Sequence, residues 1–320
     1  MRRFAVIVVV VAGALAPATP AFAHGGDTGG STAYLTEVTG ISTPEKGLSV
    51  RAVEAGARLE LSNRTGHAVE ILGYSGEPYL EVRPDGTYEN TRSPAAYLNL
   101  TLAADTPVPA TADPTAPPAW RRVSTGNTVR WHDMRTHWLQ AGLPPQAQAD
   151  PSRSHRLRDW TVPLRAGMRG FEIRGTLDWV PPPAAWRWWV GAALLAIAVT
   201  ALGRRFARLV PAVALIAGTT ILSYAFAGSL DAQLLAVGVL AVAAGLRPHP
   251  FLVALAGAGL AVFGGLGQAG VFAVAVLPVA GPAWWARTAV LVALGAGLGL
   301  VVTGVLRLRK LSAAPAIVDA

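Results

Sequence analysis

The sequence has no cysteine. That excludes disulfides, thiolate metal sites and cysteine nucleophiles, so any exported part of the chain must be held by its core alone. Charge is also scarce. Only 14% of the 320 residues are Asp, Glu, Lys or Arg, against 52% hydrophobic residues, which is too apolar for an ordinary soluble protein. Acidic residues all but vanish from the C-terminal part: from Arg187 onward nine Lys and Arg stand against Asp231 and Asp319, while residues 24–186 carry sixteen bases and seventeen acids. The net charge of +8 therefore divides into +2 for residues 1–23, −1 for the middle and +7 for the end. Bases placed between apolar runs are orientation signals in a membrane rather than a phosphate-binding face, which argues against nucleic acid as a partner. Phosphate loops, dinucleotide fingerprints, paired carboxylates and Ser/His/Asp arrangements are absent too, so the chain reads as non-enzymatic.

What is present begins with a secretory leader over residues 1–23. Arg2 and Arg3 form a basic start, Phe4 to Leu15 an apolar run too short to span a bilayer, and Ala21-Phe22-Ala23 a cleavage signal. Cleavage there makes His24 the N-terminal residue. Its free amine and imidazole then offer two nitrogens to one copper ion, with a second histidine needed to complete a site. Gly25, Gly26, Gly29 and Gly30 equally mark His24 as the first residue of a loose tail.

Residues 24–180 read as an extracytoplasmic β-sandwich-like domain. Period-two segments such as Arg58 to Ser62 and Val69 to Leu72 flank the turn Asn63-Arg64-Thr65-Gly66, which predicts a hairpin. A second hairpin is expected from Pro78 to Glu89 around Arg83-Pro84-Asp85-Gly86. Leu102 to Pro118 lacks periodicity and reads as a long loop; Thr128 to Met134, His155 to Leu164 and Gly170 to Val180 read as strands. No helical pattern precedes Trp186.

Pro181-Pro182-Pro183 opens a stiff spacer over residues 181–186, and Trp186, Trp188 and Trp189 then mark a membrane interface. Residues 187–310 read as an all-α transmembrane bundle in the plasma membrane, followed by a cytoplasmic tail over residues 311–320. Five spans are expected: Trp189 to Leu202, Leu209 to Ala227, Ala232 to Leu246, Phe251 to Leu266 and Thr288 to Leu306. Gly267 to Arg287 is the ambiguous piece, either a sixth span or an outer re-entrant segment. The positive-inside rule prefers five, because six would place Arg307, Arg309 and Lys310 outside. The spans contain no ionisable residue, which argues against active transport, and their many Gly and Ala suit close helix packing.

The concentrated chemistry lies in Trp131-His132-Asp133-Met134-Arg135-Thr136-His137-Trp138. With Gly73 to Leu80, Glu89 to Pro94 and Asp159-Trp160, this segment resembles a family of uncharacterised actinobacterial membrane proteins. Those have a leader, a β-rich outer domain, about five spans and the pattern W-H-D-H-R-x-H-W-M. Met134 stands where that pattern has histidine, and Leu139 where it has methionine. The resemblance implies the layout and the choice of site, and no activity.

Three readings of the segment stay open. His132, His137 and Met134 supply two imidazoles and a thioether, a set that suits copper better than zinc or magnesium; the metal set is then these residues with or without His24. On a regular strand His132 and His137 point to opposite faces, so both reach one ion only if the chain turns near Arg135. Alternatively Trp131, Trp138 and Trp160 belong to the core, Asp133 pairs with Arg135, and the histidines bond to backbone carbonyls. In the third reading the segment and the strands over Glu77 to Ser93 dock another envelope or membrane protein. The expected protein is thus a membrane-anchored outer binding protein, for copper or for a protein partner.

Overall fold

The computed structural model describes residues 32–228 and 230–313; the expected leader, His24 and the end of the tail lie outside the described residues. Ten strands build the first part: β1 (Tyr34–Ile41), β2 (Leu48–Val53), β3 (Arg58–Asn63), β4 (Val69–Leu72), β5 (Pro78–Arg83), β6 (Gly86–Asn90), β7 (Trp120–Ser124), β8 (Thr128–Trp131), β9 (His155–Ala166) and β10 (Arg169–Trp179). They form a seven-stranded sheet in the order β1-β10-β9-β4-β5-β6-β7 and a three-stranded sheet in the order β2-β3-β8, antiparallel throughout. Alternation aims Val69, Ile71, Val82, Val162, Leu164 and Ile173 of the large sheet into one core with Leu59, Leu61 and Trp131 of the small one.

The hairpin over Pro78 to Glu89 forms, with Val82 opposite Thr87 and Arg83 opposite Gly86. The one expected over residues 58–72 does not. β3 pairs with β2 and β8, while β4 pairs with β5 and β9. Asn63 explains the change of sheet: its Nδ2 donates to the carbonyls of His67 and Val82, both at 2.8 Å, and its Oδ1 accepts from Thr65 N and Oγ1. The turn residues thus carry the chain across the core instead of folding it back. Two short helices also interrupt the β part, α1 (Ala95–Leu98) and α2 (Pro145–Ala149).

After the three prolines come α3 (Ala185–Arg205), α4 (Val210–Ala227), α5 (Ala232–Leu246), α6 (Pro250–Gly259) and α7 (Ala283–Ala313); α6 continues through a π-helical stretch, Leu260–Gly265, and a 3₁₀ stretch, Leu266–Phe272. Four of these helices are long and apolar enough to cross a membrane. The remaining expected span, α5, falls short of that length. α5 has 15 residues, about 22 Å at 1.5 Å per residue, short of a ~30 Å hydrocarbon core. Glycine lets the helices touch. A Cβ added to Gly257 of α6 would sit 2.7 Å from the carbonyl oxygen of Gly297 on α7.

Gly267 to Arg287 forms no sixth crossing helix. Its middle is a loop held from two sides. Arg287, within α7, donates to the carbonyls of Val271, Val274 and Ala275 at 3.0, 2.7 and 3.0 Å. Val276 makes an isolated antiparallel bridge with Thr32, at 3.1 and 2.8 Å, just before β1. The β part and the helical part therefore meet through main-chain hydrogen bonds as well as through the proline spacer.

Candidate functional site

β8 stops at Trp131, short of the expected Met134, because Asp133 starts a turn. Its backbone is still extended (φ −140°, ψ 115°), while its carboxylate accepts from Arg135 N and its carbonyl accepts from Thr136 N and Oγ1. Met134–Thr136 makes one 3₁₀ turn, and His137 returns to extended backbone. The turn near Arg135 that convergence of the two histidines requires is present.

His132 is buried, and both ring nitrogens are engaged. Nδ1 lies 2.8 Å from the carbonyl oxygen of Ala57, and Nε2 accepts from Arg58 Nε at 3.1 Å. These partners assign the proton to Nδ1, since a carbonyl can only accept and a guanidinium only donate. A metal ion at either nitrogen has to displace one of these bonds.

Asp133 is fully buried. Arg135 holds it in a fork, Nε to Oδ1 and Nη2 to Oδ2, each 2.7 Å, and Trp131 Nε1 donates to Oδ2 at 3.1 Å. Burial opposes the Arg135 charge, but the Asp133 carboxylate more than compensates and raises its pKa above the ordinary value. Arg135 also donates to the carbonyl of Leu72 at 3.1 Å and lies 4.9 Å above the ring of Tyr74. Tyr74 in turn accepts from Met134 N at 2.9 Å and donates to Asn99 Oδ1. Burial first, and the Asp133 charge after it, push the Tyr74 phenol up.

Around this knot the other segments close in. Glu77 is buried, accepting from Ser93 Oγ at 2.6 Å and from Ser75 N at 2.9 Å; Asn90 Nδ2 donates to the carbonyl of Pro78 at 2.7 Å. The stretches over residues 72–80, 89–94 and 131–138, far apart in sequence, thus converge on one buried network. Such a network fixes a single arrangement because each member left alone would be a desolvated polar group.

His137 differs from its neighbours. Its Nε2 is buried and has no hydrogen-bond partner among the described residues. Burial, helped by the nearby His132, pushes its pKa down to about 4, so the ring is neutral near pH 7. It lines a small cavity of about 110 Å³ with Tyr34, Thr36, Trp138 and Glu54, and the Tyr34 and Trp138 rings stack at 6.4 Å. Glu54 and Ala55 both sit at positive φ, 56° and 58°, a costly conformation for residues with a Cβ. Glu54 Oε2 is likewise buried without a hydrogen bond, although Arg58 Nη1 approaches it at 3.4 Å. Glu54 is a site residue that its sequence neighbours do not reveal. The run Glu54-Ala55-Gly56 between two strands carries the only signal, a tight turn, and says nothing of where the carboxylate goes.

The structure therefore brings His132 and His137 to one end of the core, with Met134 on the turn between them, half-buried. Among the described residues no three His, Asp or Glu side chains form a metal-holding group, and His24 lies outside them. Compared with known proteins, the chain matches no family model, no curated protein and no solved structure.

Proposed function

We propose that the chain is a membrane-anchored extracytoplasmic binding module of the cell envelope, in which Trp131 to Trp138 is a structural clamp rather than the ligand site. One observation carries this reading: from Trp131 to Thr136 every polar side chain is spent on internal hydrogen bonds. The surfaces left for a partner lie along β1, β2 and the loop before α7, where Leu35, Val38, Val50 and Val279 line a groove of about 700 Å³.

Parity supports an orientation. The Thr32 to Val276 pair bonds the loop before α7 to the β domain, and in our reading both then lie on one side of the membrane, with an even number of crossings between them. Counting α5 as a short crossing, its 15 residues matched by local thinning of the bilayer, with α3, α4 and α6 makes four, so we read five passes in all, with the domain outside and Arg307, Arg309 and Lys310 inside. Because the chain has no native cysteine, Met168→Cys at the exposed β9–β10 tip and Ser312→Cys near the C-terminus test this directly. A membrane-impermeant maleimide labels the first in intact cells and the second only after lysis. Protection of Met168→Cys in intact cells overturns the reading.

Copper binding is the second reading, and the partnerless Nε2 of His137 favours it. It makes His137 the anchor, with Met134 or His24 completing the site and His132 joining only by releasing Arg58. Titration of the purified full-length protein with Cu(I) and Cu(II) separates the two. Stoichiometric binding abolished by His137→Ala supports copper; no binding at micromolar metal, or binding indifferent to that change, leaves the module without it.

A further inference from the structure

Apart from Arg187 and Arg287, every base of the helical part gathers at one end of the bundle. Arg204, Arg205 and Arg208 lie on the turn from α3 to α4, Arg247 follows α5, and Arg307, Arg309 and Lys310 sit in the last two turns of α7. Packing brings these segments together. A Cβ added to Gly304 of α7 would lie 2.8 Å from the carbonyl oxygen of Pro250 at the start of α6, and one added to Gly245 of α5 would lie 2.9 Å from that of Pro211 on α4. Arg307 Nη2 then ties α7 to the α3–α4 turn, donating to the carbonyls of Gly203 and Ala207, both at 3.1 Å.

No acid answers this charge among the described residues. Asp231, the one described carboxylate of the helical part, caps α5 at the opposite end, where it accepts from Gln233 N at 2.7 Å. Helix dipoles do not absorb the excess either: the C-termini of α3, α5 and α7 and the N-termini of α4 and α6 meet at this end, leaving a net of about half a negative charge against seven bases. Arg204, Arg205, Arg208 and Arg247 are exposed and make no ion pair among the described residues. Beside them Phe206 and Leu209 are each 40% exposed, and Arg205 lies 5.2 Å above the ring of Phe206.

A partner for this end carries negative charge and apolar chains at once. We infer that the rim formed by the α3–α4 turn and the end of α7 binds the headgroup phosphates of anionic phospholipids in the adjoining leaflet, with their acyl chains against Phe206 and Leu209. The apolar residues among the bases select lipid over free phosphate or nucleic acid, which offer nothing to cover them. This role rests on the membrane-anchored reading. It gives the bundle a choice of lipid in addition to an orientation.

The test inserts the full-length protein into preformed nanodiscs of equal dioleoyl phosphatidylglycerol and dioleoyl phosphatidylcholine, whose two faces are alike, so that orientation does not enter. Native mass spectrometry then reads the lipids each chain retains. Phosphatidylglycerol is expected to be enriched about tenfold over phosphatidylcholine. Arg204→Gln, Arg205→Gln and Arg208→Gln together are expected to bring the two near parity, whereas lysine at the same three positions, which keeps the charge, and Arg187→Gln at the opposite end are expected to leave the enrichment in place. Inorganic phosphate at about 5 mM and matched ionic strength is not expected to displace the lipid. Equal retention of the two lipids, enrichment that survives the triple glutamine change, loss of it with lysine, or displacement by inorganic phosphate overturns the inference. Circular dichroism melts of each variant separate loss of lipid from loss of the fold. Should the chain fail to enter the nanodiscs at all, the membrane reading falls; a chain that enters and shows no preference sinks the lipid rim alone.

Discussion

Asp133 and Arg135 face each other through two parallel hydrogen bonds of 2.7 Å inside a domain where the carboxylate has no exposure at all. The pair is also the point at which the large sheet is tied to the turn after β8, because the same guanidinium reaches Leu72 at the end of β4.

Removing one member leaves the other buried and unpaired. Arg135→Ala is expected to cost about 3–5 kcal/mol, and Arg135→Lys to recover little, since an ammonium cannot fill the fork or lie flat on Tyr74. Chemical denaturation of the full-length protein in detergent, followed through a near-ultraviolet tryptophan signal, measures both. An Arg135→Lys variant as stable as the parent shows that the fork does not matter.

His137 gives the domain an acid-side weakness. Its imidazole is pushed down to about 4 in the folded chain, while the unfolded chain protonates near 6.5, so between those values the unfolded state binds the extra proton. Stability is fully present above pH 6.5, falls as pH drops toward 4, and levels off below it. The whole effect amounts to at most about 3 kcal/mol. His137→Gln removes the titrating group, so the melting temperatures of variant and parent are expected to converge from pH 7 to pH 4. A constant difference across that range assigns the acid sensitivity to other groups.

Thr32 and Val276 exchange both main-chain hydrogen bonds. Such a pair places the two Cα atoms about 5.5 Å apart, within the span of a disulfide. Thr32→Cys with Val276→Cys, in a chain that otherwise has no cysteine, is expected to form an intramolecular bond under mild oxidation and to shift migration on a non-reducing gel. Failure to cross-link while both thiols react freely with maleimide removes the contact between the two halves.

Gly257 makes a similar demand within the bundle. Its missing Cβ admits the Gly297 carbonyl, and Gly297 in turn lies against Ala261 N, where an added Cβ would come within 2.7 Å. Gly257→Val forces α6 and α7 apart and is expected to lower the melting temperature in detergent by several degrees, about what 1–3 kcal/mol of overpacking gives. Gly270→Ala, with open space around it, is expected to change little.

What the residues disclose about themselves depends on how local the cause is. The hairpin at Arg83 to Gly86 forms as read because proline and glycine act on their own backbone. Asn63 carries an equally strong turn signal but sends the chain to the other sheet, because its carboxamide bonds to Val82, a partner its neighbours do not reveal. The spans are legible from apolar length alone, apart from α5, whose 15 residues end at Arg247 and the following prolines. Within the site, the Asp133 to Arg135 pair and the burial of Trp131 and Trp160 follow from spacing and residue type. The role of Tyr74 as a platform for Arg135 and the placement of Glu54 beside His137 depend on contacts between distant strands, which no local pattern encodes.

β1 pairs along its length with β10, so the first strand of the domain is closed by its last. Synthesis from the N-terminus releases Tyr34 long before Trp179 follows, and for that interval β1 has no ladder to join. The large sheet cannot be completed in the order of synthesis; it waits for the final strand and then closes across the whole stretch between its first and last strands. During the wait the unpaired β1 edge is open to mispairing, and shielding it from other chains becomes a task for whatever receives the nascent chain rather than for the fold.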